Sequence, residues 1–171
     1  MEEQDRRILS EGARSVAERL SLRPHPEGGY YREIYRDLRT VIRPGISGGL
    51  SRPCGGKNDG EQDFEGARRS AVTVILFLIP RGEPTAWHRV DSTEIWHHAG
   101  GAALSLEIEE TDKGATSSRT IRLGDPGDTD SLVGIVPAGA WQRARSEGEH
   151  SLVTCTVAPG FEFSDFTLRD A

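Results

Sequence analysis

From Arg69 onward the chain repeats one unit, a short apolar or alternating run closed by a turn signal, and this repetition leaves few folds open. The runs are Ser70–Ile79, Thr93–His98, Ala103–Glu109, Arg119–Leu123, Leu132–Val136, Trp141–Arg145, Ser151–Val157 and Glu162–Leu168. Turn-forming residues separate them: Pro80-Arg81-Gly82, Gly100-Gly101, Asp112-Lys113-Gly114, Gly124-Asp125-Pro126-Gly127, Pro137-Ala138-Gly139, Glu147-Gly148 and Pro159-Gly160. A strand every ~8–12 residues predicts an all-β barrel or sandwich. No β/α alternation appears, which disfavours a parallel sheet. The unbroken apolar run Ser70–Ile79 predicts a strand buried on both faces. Twenty glycines in 171 residues are well above the usual ~7% and fit a protein of many turns.

The N-terminal segment differs. Residues 5–22 place Ile8, Leu9, Ala13, Val16, Ala17 and Leu20 at helical spacing, and Pro24 and Pro26 end the pattern. Gly28-Gly29 then leads into Tyr30–Tyr35, where alternation and aromatics favour a strand. Residues 44–66 carry seven glycines with Pro44 and Pro53 and no hydrophobic period, the composition of a long flexible surface loop. The whole chain, 1–171, is expected to form a single domain, a size that buries a real core without disulfides.

Composition excludes several roles. A formal net charge of −6 and 6% aromatics speak against a nucleic-acid surface. The stretch Ala71–Pro80 is half the ~20 residues a membrane span needs, and the charged N-terminus lacks a secretory signal. Cys54 and Cys155 read as two free thiols of a reducing compartment. The expectation is a cytoplasmic protein with a small-molecule partner and neither nucleic acid nor membrane.

Two motifs carry the chemistry. The first is Gly82-x5-His88-x-Val90-x3-Glu94-x6-Gly101; the second is Pro137-Ala138-Gly139-Ala140-Trp141-Gln142. In order, on adjacent expected hairpins, they resemble the paired motifs of the cupin superfamily. Val90 replaces the second histidine of the first motif, Gln142 stands where the family places its remaining histidine, and Ser131 and Ser146 occupy the outer positions of the second motif. The blocks His25-Pro26-Glu27-Gly28-Gly29-Tyr30-Tyr31-Arg32-Glu33, Glu94-Ile95-Trp96-His97, Val136–Gln142 and Cys155–Phe161 resemble one cupin branch of unknown function, whose structures are similar to sugar-nucleotide epimerases. The resemblance implies a jelly-roll (double-stranded β-helix) barrel, commonly a homodimer, with one ligand-sized cavity.

Strand alternation puts Glu94, Trp96 and His98 on one face, and the inward cupin glutamate would make that face line the barrel. Gln142 shares a face with Ala140 and Ala144, small residues that would leave room in the cavity. His88, Glu94 and Gln142 are therefore expected to converge. A divalent metal on these three is one reading, weakened because Val90 cannot coordinate and Gln142 offers only an amide oxygen. The reading without cofactor makes His88 a base, oriented or recharged by Glu94, with Gln142 on a carbonyl or hydroxyl oxygen and Tyr30 or Tyr31 as an opposing acid. Alternatively, His88 and Glu94 simply satisfy one another in the remains of a metal site. Trp96, His98, Gln142, Tyr31 and Arg32 are the candidate substrate-binding residues; Glu27 is a further candidate for closing the cavity. Trp87 and Trp141 are expected in the core, and His97 and His150 at the surface or in satisfied structural roles. Three functions follow: an acid/base epimerase or isomerase, a non-catalytic metabolite-binding module, or a metal-dependent dioxygenase or lyase.

Overall fold

A computed structural model describes residues 9–44, 66–82, 84–112, 114–127 and 131–169. One helix, α1 (Glu11–Arg19), precedes thirteen strands: β1 (Arg23–Pro24), β2 (Tyr30–Arg36), β3 (Thr40–Pro44), β4 (Gly66–Ser70), β5 (Thr73–Pro80), β6 (His88–Val90), β7 (Thr93–Gly101), β8 (Leu104–Asp112), β9 (Ala115–Leu123), β10 (Val133–Val136), β11 (Trp141–Ser146), β12 (His150–Ala158) and β13 (Phe166–Leu168). They form a six-stranded sheet ordered β1-β2-β5-β12-β7-β10, a five-stranded sheet ordered β13-β6-β11-β8-β9, and a β3-β4 hairpin. Every strand-to-strand ladder is antiparallel. The architecture is an all-β jelly roll with an N-terminal helix.

The core divides by sheet face. Between the two sheets lie Phe77, Ile79, Trp96, Leu104, Leu106, Ile108, Leu123, Val136, Ala140, Ala144, Val153 and Cys155. On the outer face of the six-stranded sheet, α1 packs Leu9, Ala13 and Ala17 with Leu22 onto Tyr30 and Leu78. Strand β5 therefore sends Phe77 and Ile79 inward and Leu78 outward, each 2% exposed or less, which is why its sequence runs apolar without alternation. The side chain of Ser10 accepts from the Ala13 N–H and caps the helix start.

Several expected boundaries shift. Residues 5–8 of the expected helix lie outside the described residues; α1 runs from Glu11 to Arg19, where Leu20 and the left-handed Ser21 close it before Pro24 is reached. The run Ser70–Ile79 splits: Ser70 closes β4, a turn follows, and β5 starts at Thr73. Glu162–Leu168 is half strand only, because residues 163–165 form a 3-10 turn that brings Asp165 onto Arg69, with Nε–Oδ2 at 2.6 Å. Most of the expected loop 44–66 lies outside the described residues. Trp87 and Trp141 are not in the core. They stack outside the five-stranded sheet, with the Arg169 guanidinium 4.8 Å from one ring and 4.5 Å from the other. Among the described residues no helix is long and apolar enough to cross a membrane.

Candidate active site

A cavity of about 280 Å³ opens between the sheets at the end where β2, β6 and β7 begin or finish. Its polar lining includes His25, Glu27, His88 and Glu94, with Arg23, Glu33, Arg36 and Glu162 also on the wall; its apolar walls include Tyr31, Phe77, Trp96, Phe163 and Phe166. That volume sits at the lower end of the ~300–1,000 Å³ of small-molecule pockets.

Each polar residue has a structural reason to be there. His88 opens β6 and pairs across the sheet with Gln142 of β11, so the two motifs are neighbours in the five-stranded sheet. Glu94 and Trp96 alternate inward on β7 from the facing sheet. His25 and Glu27 ride a tight turn: the Gly28 N–H donates to the His25 carbonyl, and the His25 N–H to the Gly29 carbonyl. Gly29 has φ of +72°, and a Cβ there would lie 2.8 Å from the Leu78 carbonyl oxygen and 2.9 Å from the Phe77 ring. The Ala86 N–H donates to the Glu27 carbonyl at 2.7 Å, fastening this turn to the segment that enters β6.

The histidine of the first motif pairs with Glu27, not with Glu94. His88 Nε2 lies 3.2 Å from Glu27 Oε2, with both side chains almost fully buried. His88 Nδ1 is 3.0 Å from the Ala86 carbonyl oxygen. A carbonyl only accepts, so Nδ1 carries a hydrogen and Nε2 is the nitrogen that faces Glu27. Burial pushes the Glu27 carboxyl from 4.5 up to about 7, an effect the nearby His88 opposes and Glu94 reinforces. Burial also lowers His25 from 6.5 to about 4; Glu94 opposes this and Arg23 assists it. His25 Nδ1 accepts from the Glu27 backbone N–H at 3.4 Å, the arrangement of a neutral imidazole.

Glu94 belongs to a second network. Gln142 Nε2 donates to Glu94 Oε2 at 2.5 Å, and Gln142 Oε1 accepts from Trp96 Nε1 at 2.9 Å. Burial raises the Glu94 carboxyl, while hydrogen bonds from Gln142 and Cys155 work against it. Cys155 is a fully buried free thiol, raised well above its ordinary value chiefly by burial.

The expected site residues thus separate. His88, Glu94, Trp96 and Tyr31 line the cavity, and Tyr31 is the inward tyrosine while Tyr30 packs against the helix layer. Gln142, fully buried, sits behind Glu94 and Trp96 with both ends of its amide engaged. Ala140 and Ala144 fill the core instead of widening the cavity. Arg32 is exposed on the opposite strand face from Tyr31. His98 continues the inward face of β7 but lies past Trp96, where Nε2 meets the Ala102 carbonyl oxygen at 3.1 Å. Sequence reasoning missed His25; its position two residues before Glu27 on a glycine turn was the available signal.

The residues expected to hold a metal are engaged otherwise in this structure. The amide oxygen of Gln142 is taken by Trp96, Val90 contributes no donor, and His88 Nε2 faces a carboxyl that burial favours in its neutral form. Among the described residues no group of three or more His, Cys, Asp or Glu is arranged to hold a metal ion.

Fold and cavity together define a cupin-type jelly roll with a ligand-sized cavity between its sheets. The family model described as "Cupin superfamily (DUF985)" matches residues 14–169, and the chain belongs to that family. It is similar to a hypothetical protein from Leishmania major, at 30% identity over 92% of this chain and 86% of that one, with a TM-score of 0.74. It is also similar to a protein from Shewanella oneidensis, at 26% identity over 91% and 83% of the two chains, with a TM-score of 0.70. Oxalate decarboxylase from Bacillus subtilis, at 14% identity, 85% and 29% coverage and a TM-score of 0.51, shares the fold alone. No curated protein sequence matches the chain.

Proposed function

We propose that this chain is an acid/base enzyme that moves a proton next to a carbonyl, isomerising or epimerising a sugar-like or carbonyl metabolite without a metal. The observation that carries this reading is the buried Glu27–His88 pair, 3.2 Å apart on the wall of a ligand-sized cavity, with Glu27 titrating near neutrality at about 7. His88 Nε2 takes the carbon-bound proton as Glu27 gives its own to the carbonyl oxygen. The product is an enol, a carboxylate and an imidazolium, and charge and protons balance. In a 2-hydroxycarbonyl substrate the imidazolium then gives its proton to the former carbonyl carbon while the Glu27 carboxylate takes the proton of the other enediol hydroxyl, which completes an isomerisation and restores the pair. Epimerisation needs a donor on the other face of the substrate, and Tyr31 supplies a phenol on the cavity wall. Glu94, tied to Gln142, shapes the cavity floor.

Wash-in of solvent deuterium tests this. The protein is incubated in deuterium oxide with aldoses, ketoses and 2-hydroxycarbonyl compounds, and exchange is read by mass spectrometry. Exchange should survive dialysis against a chelator and fall ~100-fold or more in His88→Ala and in Glu27→Gln. Absence of exchange from every compound, with a metabolite still retained by the protein in native mass spectrometry, would establish the binding-module reading instead.

A further inference from the structure

We propose that Arg23 is the anion-binding residue of this cavity, so that its ligand is a small molecule bearing a carboxylate or phosphate at one end and the reacting oxygen at the other. This rests on the acid/base reading for the deep end of the site and adds the identity of the outer end. Two guanidinium groups line the cavity. Arg36 is fully committed: it donates to Glu33 at 3.0 and 2.8 Å, to Glu162 at 2.7 Å and to the Phe161 carbonyl at 3.1 Å. Arg23 differs. Its guanidinium carbon lies 4.9 Å from the centre of the Tyr31 ring, and among the described residues it has no carboxylate partner.

The backbone fixes this placement. Arg23 pairs directly with Tyr31 across β1 and β2, and Pro24 follows it with a fixed φ. A guanidinium laid on an aromatic face keeps its N–H edges free, and those edges match a carboxylate or phosphate with two parallel hydrogen bonds. The other rim charges form one cluster, Arg36 held between Glu33 and Glu162, and Arg23 stands outside it. Between rim and floor the walls are aromatic, with His25 stacked on Phe163 at 6.0 Å and edge-on to Tyr31 at 4.6 Å. The cavity thus presents one guanidinium outside the rim's ion-pair cluster at its mouth, aromatic walls along its length and the Glu27–His88 pair at its floor.

The experiment titrates wild type, Arg23→Gln and His88→Ala with phenyl phosphate, phenylacetate and uncharged 2-phenylethanol, by calorimetry. Wild type should bind at least one of the anions about tenfold more tightly than the alcohol. Arg23→Gln should lose that preference while keeping its affinity for the alcohol; whichever anion drops further identifies the group as phosphate or carboxylate. Equal affinity for anion and alcohol in wild type, a preference that survives Arg23→Gln, or failure of both anions to bind at millimolar concentration overturns the inference. His88→Ala should retain the preference. Deuterium exchange that needs His88 beside an anion preference that ignores Arg23 sinks this inference alone; the converse result sinks the catalytic reading alone.

Discussion

Two buried groups in the cavity pull the pH dependence of stability in opposite directions, and single substitutions should separate them. Glu27 titrates at about 7 in the fold against an ordinary 4.5. Below pH ~4.5 both folded and unfolded chains carry its proton, and there its stabilising contribution is fully present. Between ~4.5 and ~7 the unfolded chain releases that proton while the fold retains it, so each pH unit costs about 1.4 kcal/mol, and about 3 kcal/mol is lost by neutral pH. His25 runs the other way, lowered from 6.5 to about 4. Its contribution is present above pH ~6.5 and is lost, again by about 3 kcal/mol, as pH falls through ~4.

In wild type the two slopes largely cancel between pH ~4.5 and ~6.5. Substitution by glutamine exposes each one. The stability of Glu27→Gln minus that of wild type should climb by about 3 kcal/mol from pH ~4.5 to ~7, and the same difference for His25→Gln should fall by about as much from ~4 to ~6.5. Surface carboxylates such as Glu147 and Glu149, lowered by their hydrogen bonds, titrate alike in all three proteins and drop out of the differences. Urea unfolding in steps across this range, followed by tryptophan fluorescence, measures all three curves. A Glu27 difference curve that is flat or falls with pH would mean that the carboxyl is ionised in the fold at pH ~5. Its role as proton donor would then be lost.

Two further predictions concern the frame of the site. Gln142→Leu, though more apolar, should destabilise the protein by about 3 kcal/mol, because it orphans Trp96 Nε1 and leaves the Glu94 carboxyl only the weak thiol donor of Cys155, a lost partner costing ~1–3 kcal/mol at each buried group. Calorimetry should show Tm lower by roughly 6–12 °C, and a loss under ~1 kcal/mol would deny Gln142 its bridging role. Gly29→Ala should cost more than ~2 kcal/mol, since its Cβ meets the Leu78 carbonyl and the Phe77 ring. Gly139→Ala, at a similar φ of +78° with nothing within 4 Å, should cost about 1 kcal/mol; equal losses would refute the steric account.

The strands were legible where burial follows a simple period. Strand β5 is apolar throughout because α1 covers one face and the core the other, and β7 alternates because only one face is fully enclosed. Glu94 and Trp96 were legible by the same alternation. Arg32 was not, since its orientation depends on which of Tyr30 and Tyr31 turns inward, and a one-residue shift reverses every side chain. His98 has the right parity but lies one layer too deep, beyond the Trp96 ring, a matter of cavity depth that no period encodes. Trp87 and Trp141 look like core residues by composition. Flanking arginines stack on their faces and let them stay outside. Glu27 and His25 reach the cavity only because their turn is fastened to Ala86, a contact between distant segments.

The two ligand positions that depart from the cupin pattern explain why the remaining ones behave as they do. Val90 supplies only apolar surface to the cavity, and Gln142 spends its amide holding Glu94 and Trp96 in place. A divalent cation at this centre would favour ionised carboxylates and occupy the Nε2 of His88. In this structure that nitrogen faces Glu27 at 3.2 Å, and burial raises the Glu27 carboxyl to about 7. A carboxyl that shares its proton with an imidazole and a carboxylate that grips a cation demand opposite electrostatics. In the proposed reading, loss of the two histidines and recruitment of Glu27 are one change: the barrel keeps its inward histidine and gives it a proton to handle in place of a metal.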